Sequence, residues 1–212
     1  MTLALAYELE VKREVGGAIA GLAVGTVHKN DDPKGLGRVR LKLPWREKDF
    51  VTDWVRIVVP MGGREMGTYF VPEEGDEVLV GFDRDDIRYP YVLGCLWSGT
   101  DKPPEANSNK KNDIRMIKSR KGHIVRFDDA AKKGVITIQL NDGKKVEIDD
   151  DGIRITDSKN HIEIKSAGGK IEIQASQEIS MKAPKIAIEA TKSLDLKGGS
   201  ALNASAGMVK IN

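Results

Sequence analysis

From Val146 to the end of the chain, two apolar residues separated by a single residue recur at near-regular spacing. The pairs are Val146/Ile148, Ile153/Ile155, Ile162/Ile164, Ile171/Ile173, Ile179/Met181, Ile186/Ile188, Leu194/Leu196 and Val209/Ile211, with a weaker one at Leu202/Ala204. Successive pairs start 7, 9, 9, 8, 7, 8, 8 and 7 residues apart. On an α-helix, residues i and i+2 point about 200° apart, whereas on a strand they share a face. Each repeat therefore reads as a short strand followed by a turn. Asp149-Asp150-Asp151-Gly152, Ser158-Lys159-Asn160, Ala167-Gly168-Gly169 and Lys197-Gly198-Gly199 supply turn residues.

A short strand with one apolar face cannot bury that face alone, and repeat architectures solve the problem by stacking neighbours around a shared core. A hollow cross-section needs three faces, and eight residues supply one. Three chains, each giving one face per layer, would close it, so the repeat predicts a β-strand tail whose single core is shared by three copies of the chain. Its core would be Val146, Ile148, Ile153, Ile155, Ile162, Ile164, Ile171, Ile173, Ile179, Met181, Ile186, Ile188, Leu194 and Leu196. Glu163, Lys165, Lys170, Glu172, Lys182, Lys185, Glu189, Lys192, Asp195 and Lys197 intersperse both signs of charge among them, as a solvated outer face requires.

The first half is organised differently. With 22 Gly and only 5% aromatic residues, the chain reads as all-β. Five short strands are expected near 18–28, 38–43, 54–59, 76–82 and 91–96, which fits the partly open barrel called the OB-fold. Arg38-Val39-Arg40-Leu41-Lys42-Leu43 alternates strictly, so Val39, Leu41 and Leu43 should face a core. The stretch 99–115, rich in Lys, Asn, Pro and Asp, has little to bury and reads as a neck. The expected organisation is an N-terminal segment at 1–17, a five-stranded barrel at 18–98, the neck at 99–115, and the spike at 116–212. Cys95, set in an apolar run, is expected to be a small buried side chain.

The blocks Gly35-Leu36-Gly37-Arg38-Val39-Arg40-Leu41-Lys42-Leu43-Pro44-Trp45, Trp54-Val55-Arg56-Ile57, Gly67-Thr68-Tyr69-Phe70-Val71-Pro72-Glu73-Glu74-Gly75-Asp76-Glu77-Val78-Leu79-Val80-Gly81-Phe82 and Tyr89-Pro90-Tyr91-Val92-Leu93-Gly94, followed by Trp97, resemble the OB-fold domain of phage baseplate assembly protein V and VgrG-type spikes. Lys118-Ser119-Arg120-Lys121-Gly122-His123-Ile124-Val125-Arg126-Phe127-Asp128-Asp129 resembles that family's entry into its β-helix. The resemblance implies a homotrimer whose OB-fold collar continues into a triple-stranded, intertwined β-helix needle, the trimeric central spike of a contractile injection system, mounted on a baseplate hub and driven through a target envelope. It also implies effector cargo, transient contact with the target membrane, and a conical PAAR-type tip protein. Met208, Val209, Lys210, Ile211 and Asn212 would meet that tip. About 17 residues precede the barrel, which sets the expectation of hub contact at 1–17 and a hub supplied by a separate protein.

No catalytic, cofactor-binding or metal-binding residue is expected. His28, His123 and His161 lack metal-ligand spacing, and Asp149-Asp150-Asp151-Gly152 lacks the alternating ligands and distal Glu of a calcium loop. Gly35-Leu36-Gly37 lacks the third glycine of a dinucleotide site, and no Gly-x-Ser-x-Gly elbow occurs. Lys and Arg total 34 against 32 Asp and Glu, which gives no electrostatic footprint for nucleic acid. Two other readings remain open. Trp45-Arg46 and Trp54 with Arg56 could stack single-stranded bases on an OB-fold, and a trimeric fibre could bind a receptor, although no Phe, Trp or Tyr follows Phe127. The first twenty residues lack the apolar run of a signal peptide, so synthesis in the cytoplasm and incorporation into a phage-tail-like particle are expected.

Overall fold

Alternation at 38–43 puts Val39, Leu41 and Leu43 at 0, 0 and 1% exposure, and these three side chains anchor the first of two units in the computed structural model. The structure describes residues 21–47, 50–130 and 133–210. The segment 1–17, the start of the first expected strand at 18–20, and Ile211 and Asn212 lie outside the described residues. The chain divides between Ala106 and Asn107.

The first unit holds β1 (Leu22–Lys29), β2 (Arg40–Lys42), β3 (Arg56–Ile57), β4 (Gly62–Gly63), β5 (Met66–Gly67), β6 (Glu77–Phe82) and β7 (Pro90–Cys95). Five of these form one sheet in the order β2-β1-β6-β7-β3. The Val39 N–H donates to the Val55 carbonyl at 3.0 Å and the Val55 N–H returns the bond at 2.7 Å, so the two ends of the sheet meet and it curls into a barrel. Val27, Val78, Val80, Val55 and Val92 complete the core inside it. A small hairpin, β4–β5, follows β3.

Cys95 corrects one expectation, because it is exposed. Val80 pairs with Val92 but Leu79 pairs with Gly94, so Leu93 is an extra residue in β7. The bulge resets the alternation, and Cys95 falls at the strand end beyond the covered part of the barrel. Burial of its surroundings pushes the thiol upward from its ordinary pKa, as does the nearby Asp76 carboxylate.

The β1–β2 connection is organised by Asp32, whose side chain is 2% exposed. Its carboxylate accepts from Arg38 Nε at 2.8 Å, Arg38 Nη2 at 2.9 Å, and the backbone N–H groups of Lys34 at 3.0 Å and Leu36 at 3.1 Å. The Arg38 hydrogen bond, helped by these amides against the cost of burial, holds the Asp32 carboxyl far below the usual carboxylate range. Because the folded value is the lower one, this stabilisation is complete above the unfolded value of about 3.9 and is lost as pH falls below it. Asp32→Asn should therefore lower Tm at pH 5 to 7, and the gap to the parent should close on titration toward pH 2. A gap of constant size across that range would assign the loss to shape rather than charge.

The second unit is a meander. Strands β8 (Ile114–Lys118), β9 (Ile124–Asp128), β10 (Val135–Gln139), β11 (Lys145–Asp149), β12 (Gly152–Thr156), β13 (His161–Lys165) and β14 (Lys170–Gln174) pair consecutively and antiparallel. Gly152 begins β12 at φ +148°, and a Cβ there would sit 1.8 Å from the Ile164 carbonyl oxygen, so the β11–β12 turn requires glycine. The expected strands at Ile179/Met181, Ile186/Ile188, Leu194/Leu196 and Val209 do not form within one chain, since residues 175–210 belong to no strand. A strand exists only when another backbone takes its hydrogen bonds, and among the described residues no segment of the same chain does so.

Candidate assembly face

The meander register aligns the apolar pairs of successive strands. Ile138 stands opposite Val146, Val146 opposite Ile155, Ile155 opposite Ile162, and Ile162 opposite Ile173. The second column runs Ile136, Ile148, Ile153, Ile164, Ile171 in the same way. Toward the start of the sheet, Val125 and Ile117 extend the first column and Phe127 extends the second. Period-2 alternation and a register without slips thus produce two parallel apolar columns on one face.

Directly behind them runs a polar column of Arg126, Thr137, Glu147, Arg154, Glu163 and Glu172. Arg154 pairs with Glu163, and Lys165 reaches the same carboxylate at 3.2 Å, so the two cations hold Glu163 below its ordinary pKa. Lys170 does the same for Glu172. Thr137 in this column is only 9% exposed, whereas the isoleucines of the apolar face range from 38% at Ile153 to 67% at Ile171. Burial is thus inverted relative to an ordinary soluble sheet. The polar side chains cover one another, and the apolar face lies open along its whole length. A groove of about 500 Å³ runs over it between Ile138, Val146, Ile155, Ile162 and Ile173.

Of the expected core residues, Val146, Ile148, Ile153, Ile155, Ile162, Ile164, Ile171 and Ile173 are brought together here. Ile179, Met181, Ile186, Ile188, Leu194 and Leu196 are exposed in 175–210, as are Met208, Val209 and Lys210 of the expected tip contact. Ile117, Val125, Phe127, Ile136 and Ile138 belong to the same face and were missed by the spacing argument. Their pairs sit on strands joined by longer turns, which break the eight-residue rhythm, although Ile136-Thr137-Ile138 carries the same pattern.

Of the side chains that suggested base stacking, Trp45, Arg46 and Arg56 have partners within the barrel, with Arg46 4.2 Å over the Phe50 ring. Trp45 Nε1 donates to the Val24 carbonyl at 3.1 Å and its ring meets Phe82 edge-on at 6.2 Å. Arg56 lies over the Tyr91 ring and donates to its hydroxyl at 2.7 Å. At the Asp149–Gly152 turn, the Asp149 carboxylate accepts from the Asp151 N–H at 2.8 Å and the Gly152 N–H at 3.1 Å. Lys133 bridges Asp149 and Asp151 at 3.0 and 2.5 Å, the arrangement of a polar turn. Among the described residues, no group of three or more His, Cys, Asp or Glu is arranged to hold a metal ion, and no helix is long and apolar enough to cross a membrane.

Residues 23–97 match the family described as the type VI secretion system/phage-baseplate injector OB domain, and residues 114–191 match the phage baseplate V C-terminal trimerisation domain. Among curated relatives, the type VI secretion system spike protein VgrG2a of Pseudomonas aeruginosa is 31% identical over 102 residues, which cover 44% of this chain and 12% of that protein. VgrG5 of the same organism, also a type VI secretion system spike protein, is 31% identical over 109 residues, 49% of this chain and 13% of its own length. VgrG3 of Vibrio cholerae, again a type VI secretion system spike protein, is 22% identical over 161 residues, 72% of this chain and 16% of its own length. The chain thus matches only a small part of these relatives' length.

Proposed function

Since this chain belongs to the phage baseplate V and VgrG-like spike family, with an injector OB domain at 23–97 and a trimerisation domain at 114–191, we propose that it is the homotrimeric central spike of a contractile injection system. In this reading it is mounted on a baseplate hub, pierces the target envelope, and carries a PAAR-type tip or effector at its C-terminal end. The role is mechanical, and the chain performs no chemistry of its own.

The open apolar face of β8–β14 carries this reading. Burying an isoleucine is worth roughly 1.5–3 kcal/mol relative to leaving it exposed, and ten apolar positions on β10–β14 alone stand in the two columns. Three sheets with these columns turned inward give a dry prism with the charged column outside. Past Gln174 the apolar pairs continue without a backbone partner among the described residues, which fits a segment whose strands pair with those of the other two chains. There Ile179, Met181, Ile186, Ile188, Leu194 and Leu196 would line the needle. Residues 208–212 would then present the blunt end to the tip, and residues 1–17 would meet the hub. Within this reading the particle forms in the cytoplasm and the needle leaves it on contraction.

Light scattering on the purified chain is expected to give three times the 23.3 kDa chain mass, with the long hydrodynamic radius of a rod. A compact monomer would remove the shared core and with it the spike.

A further inference from the structure

The two edges of the β8–β14 sheet carry opposite charge. The register places Asp128 and Asp149 on one edge, beside the turns that hold Asp129, Asp150 and Asp151 and next to Asp113 at the sheet's entry. The other edge holds Lys118, Lys145 and the turns with Arg120, Lys121, Lys144 and Lys159, against only Asp142 and Asp157. Lys165 and Lys170 close the far end of the acidic edge, where Glu163 and Glu172 hold them. Some of the remaining charges are answered within the chain: Lys133 reaches Asp149 and Asp151, Arg115 pairs with Asp129, Arg126 with Asp128, Lys144 with Asp142 and Lys145 with Glu147. Asp150 on one edge, and Lys118, Lys121 and Lys159 on the other, make no ion pair among the described residues.

We infer that these edges are the lateral contacts between copies of this chain: the acidic edge of each sheet docks on the basic edge of the next, and that charge match sets which way round the copies close. The inference rests on the homotrimer proposed above and names the surface that joins its members. It follows from symmetry. When three identical sheets turn the same face inward around a threefold axis, one edge of each meets the opposite edge of its neighbour.

The connectivity of the meander makes the fit specific. Turns on the basic edge join β8 to β9, β10 to β11, and β12 to β13, whereas turns on the acidic edge join β9 to β10, β11 to β12, and β13 to β14. Turns on one edge are therefore two strands apart, roughly 9.5 Å, and the two edges are offset by one strand, about 4.8 Å. Neighbouring edges at the same height interleave like the teeth of a zip. The Asp150 turn then lies between the Lys144 and Lys159 turns of the next copy, and the Asp129 turn lies between those of Lys121 and Lys144. A copy docked upside down, or with its apolar face outward, sets like charges together and loses the match.

The test is a charge swap in the full chain, read as the rate of trimer formation on dilution from urea, in low salt and in about 0.5 M salt. The parent is expected to assemble several-fold faster in low salt. Lys159→Glu and Asp150→Lys should each slow low-salt assembly by roughly three- to ten-fold, and the chain carrying both should recover most of the loss. Circular dichroism of each unassembled chain checks that the sheet itself forms. Should the parent form trimers while neither single reversal nor salt alters the rate, or should the double variant be as slow as the sum of its parts, the edges do not dock in this way. A parent that never trimerises would instead overturn the proposed spike.

Discussion

An Ile164→Asp chain is expected to lose the trimer and to appear as monomer or aggregate. Ile164 stands in the middle of its column, flanked by Ile153 and Ile171 on the neighbouring strands. In a closed prism the substitution removes three buried isoleucines, each worth roughly 1.5–3 kcal/mol. It also places three carboxylates near the axis, and an uncompensated buried charge costs on the order of 3–5 kcal/mol. The sum, roughly 13–24 kcal/mol over the three chains, matches or exceeds the whole stability of a typical domain, about 5–15 kcal/mol. Glu163→Gln, one residue away on the opposite face, should leave the mass unchanged. A soluble Ile164→Asp trimer of normal shape would falsify the inward orientation of this column.

Leu41→Ala should do the opposite, damaging the barrel while sparing assembly. Leu41 is fully buried among Val27, Val39, Leu43 and Val80, and a core Leu→Ala substitution costs about 2–5 kcal/mol, depending on how far the site collapses. Its N–H also donates to the Thr52 hydroxyl oxygen at 3.0 Å, which holds β2 against the 50–55 segment and limits that collapse. We expect an early unfolding transition for the barrel, with the light-scattering mass retained until a later one. Loss of the trimer together with the barrel would show that the two units do not stand independently.

The barrel strands were legible because each combined alternation with a flanking turn signal. Arg38 to Leu43 is the clearest instance: its polar and apolar residues fall on opposite faces as written. The β4–β5 hairpin was not legible, since two-residue strands built from Gly62, Gly63, Met66 and Gly67 carry no periodicity. Cys95 was misread for a similar reason. The bulge at Leu93 is a property of the β6–β7 pairing, and nothing local to residues 91–96 announces it. In the second unit, the i, i+2 pairs identified strands and their shared face from Val146 to Ile173. They could not show which backbone each strand pairs with, so the change at Gln174 from a paired meander to unpaired chain was invisible. The assembly face was therefore read in outline, without its first three strands, and the charge of its edges emerged only once the register had assigned each turn to a side.

The way the meander is wired bears on the order of events during assembly. Each strand of β8–β14 pairs with the one next to it in sequence, so every ladder closes a short loop. Low contact order of this kind permits folding in milliseconds or faster, before any encounter with another molecule. Among the described residues the chain beyond Gln174 has no such local route, and in the proposed trimer it waits for two other copies. Assembly is thus split into a fast unimolecular stage and a slow stage whose half-time shortens as the chain becomes more concentrated. During the interval the free edge of β14 is a template on which stray strands can add. Yield of intact spike should accordingly be governed by how quickly three copies meet, more than by how stable any one of them is.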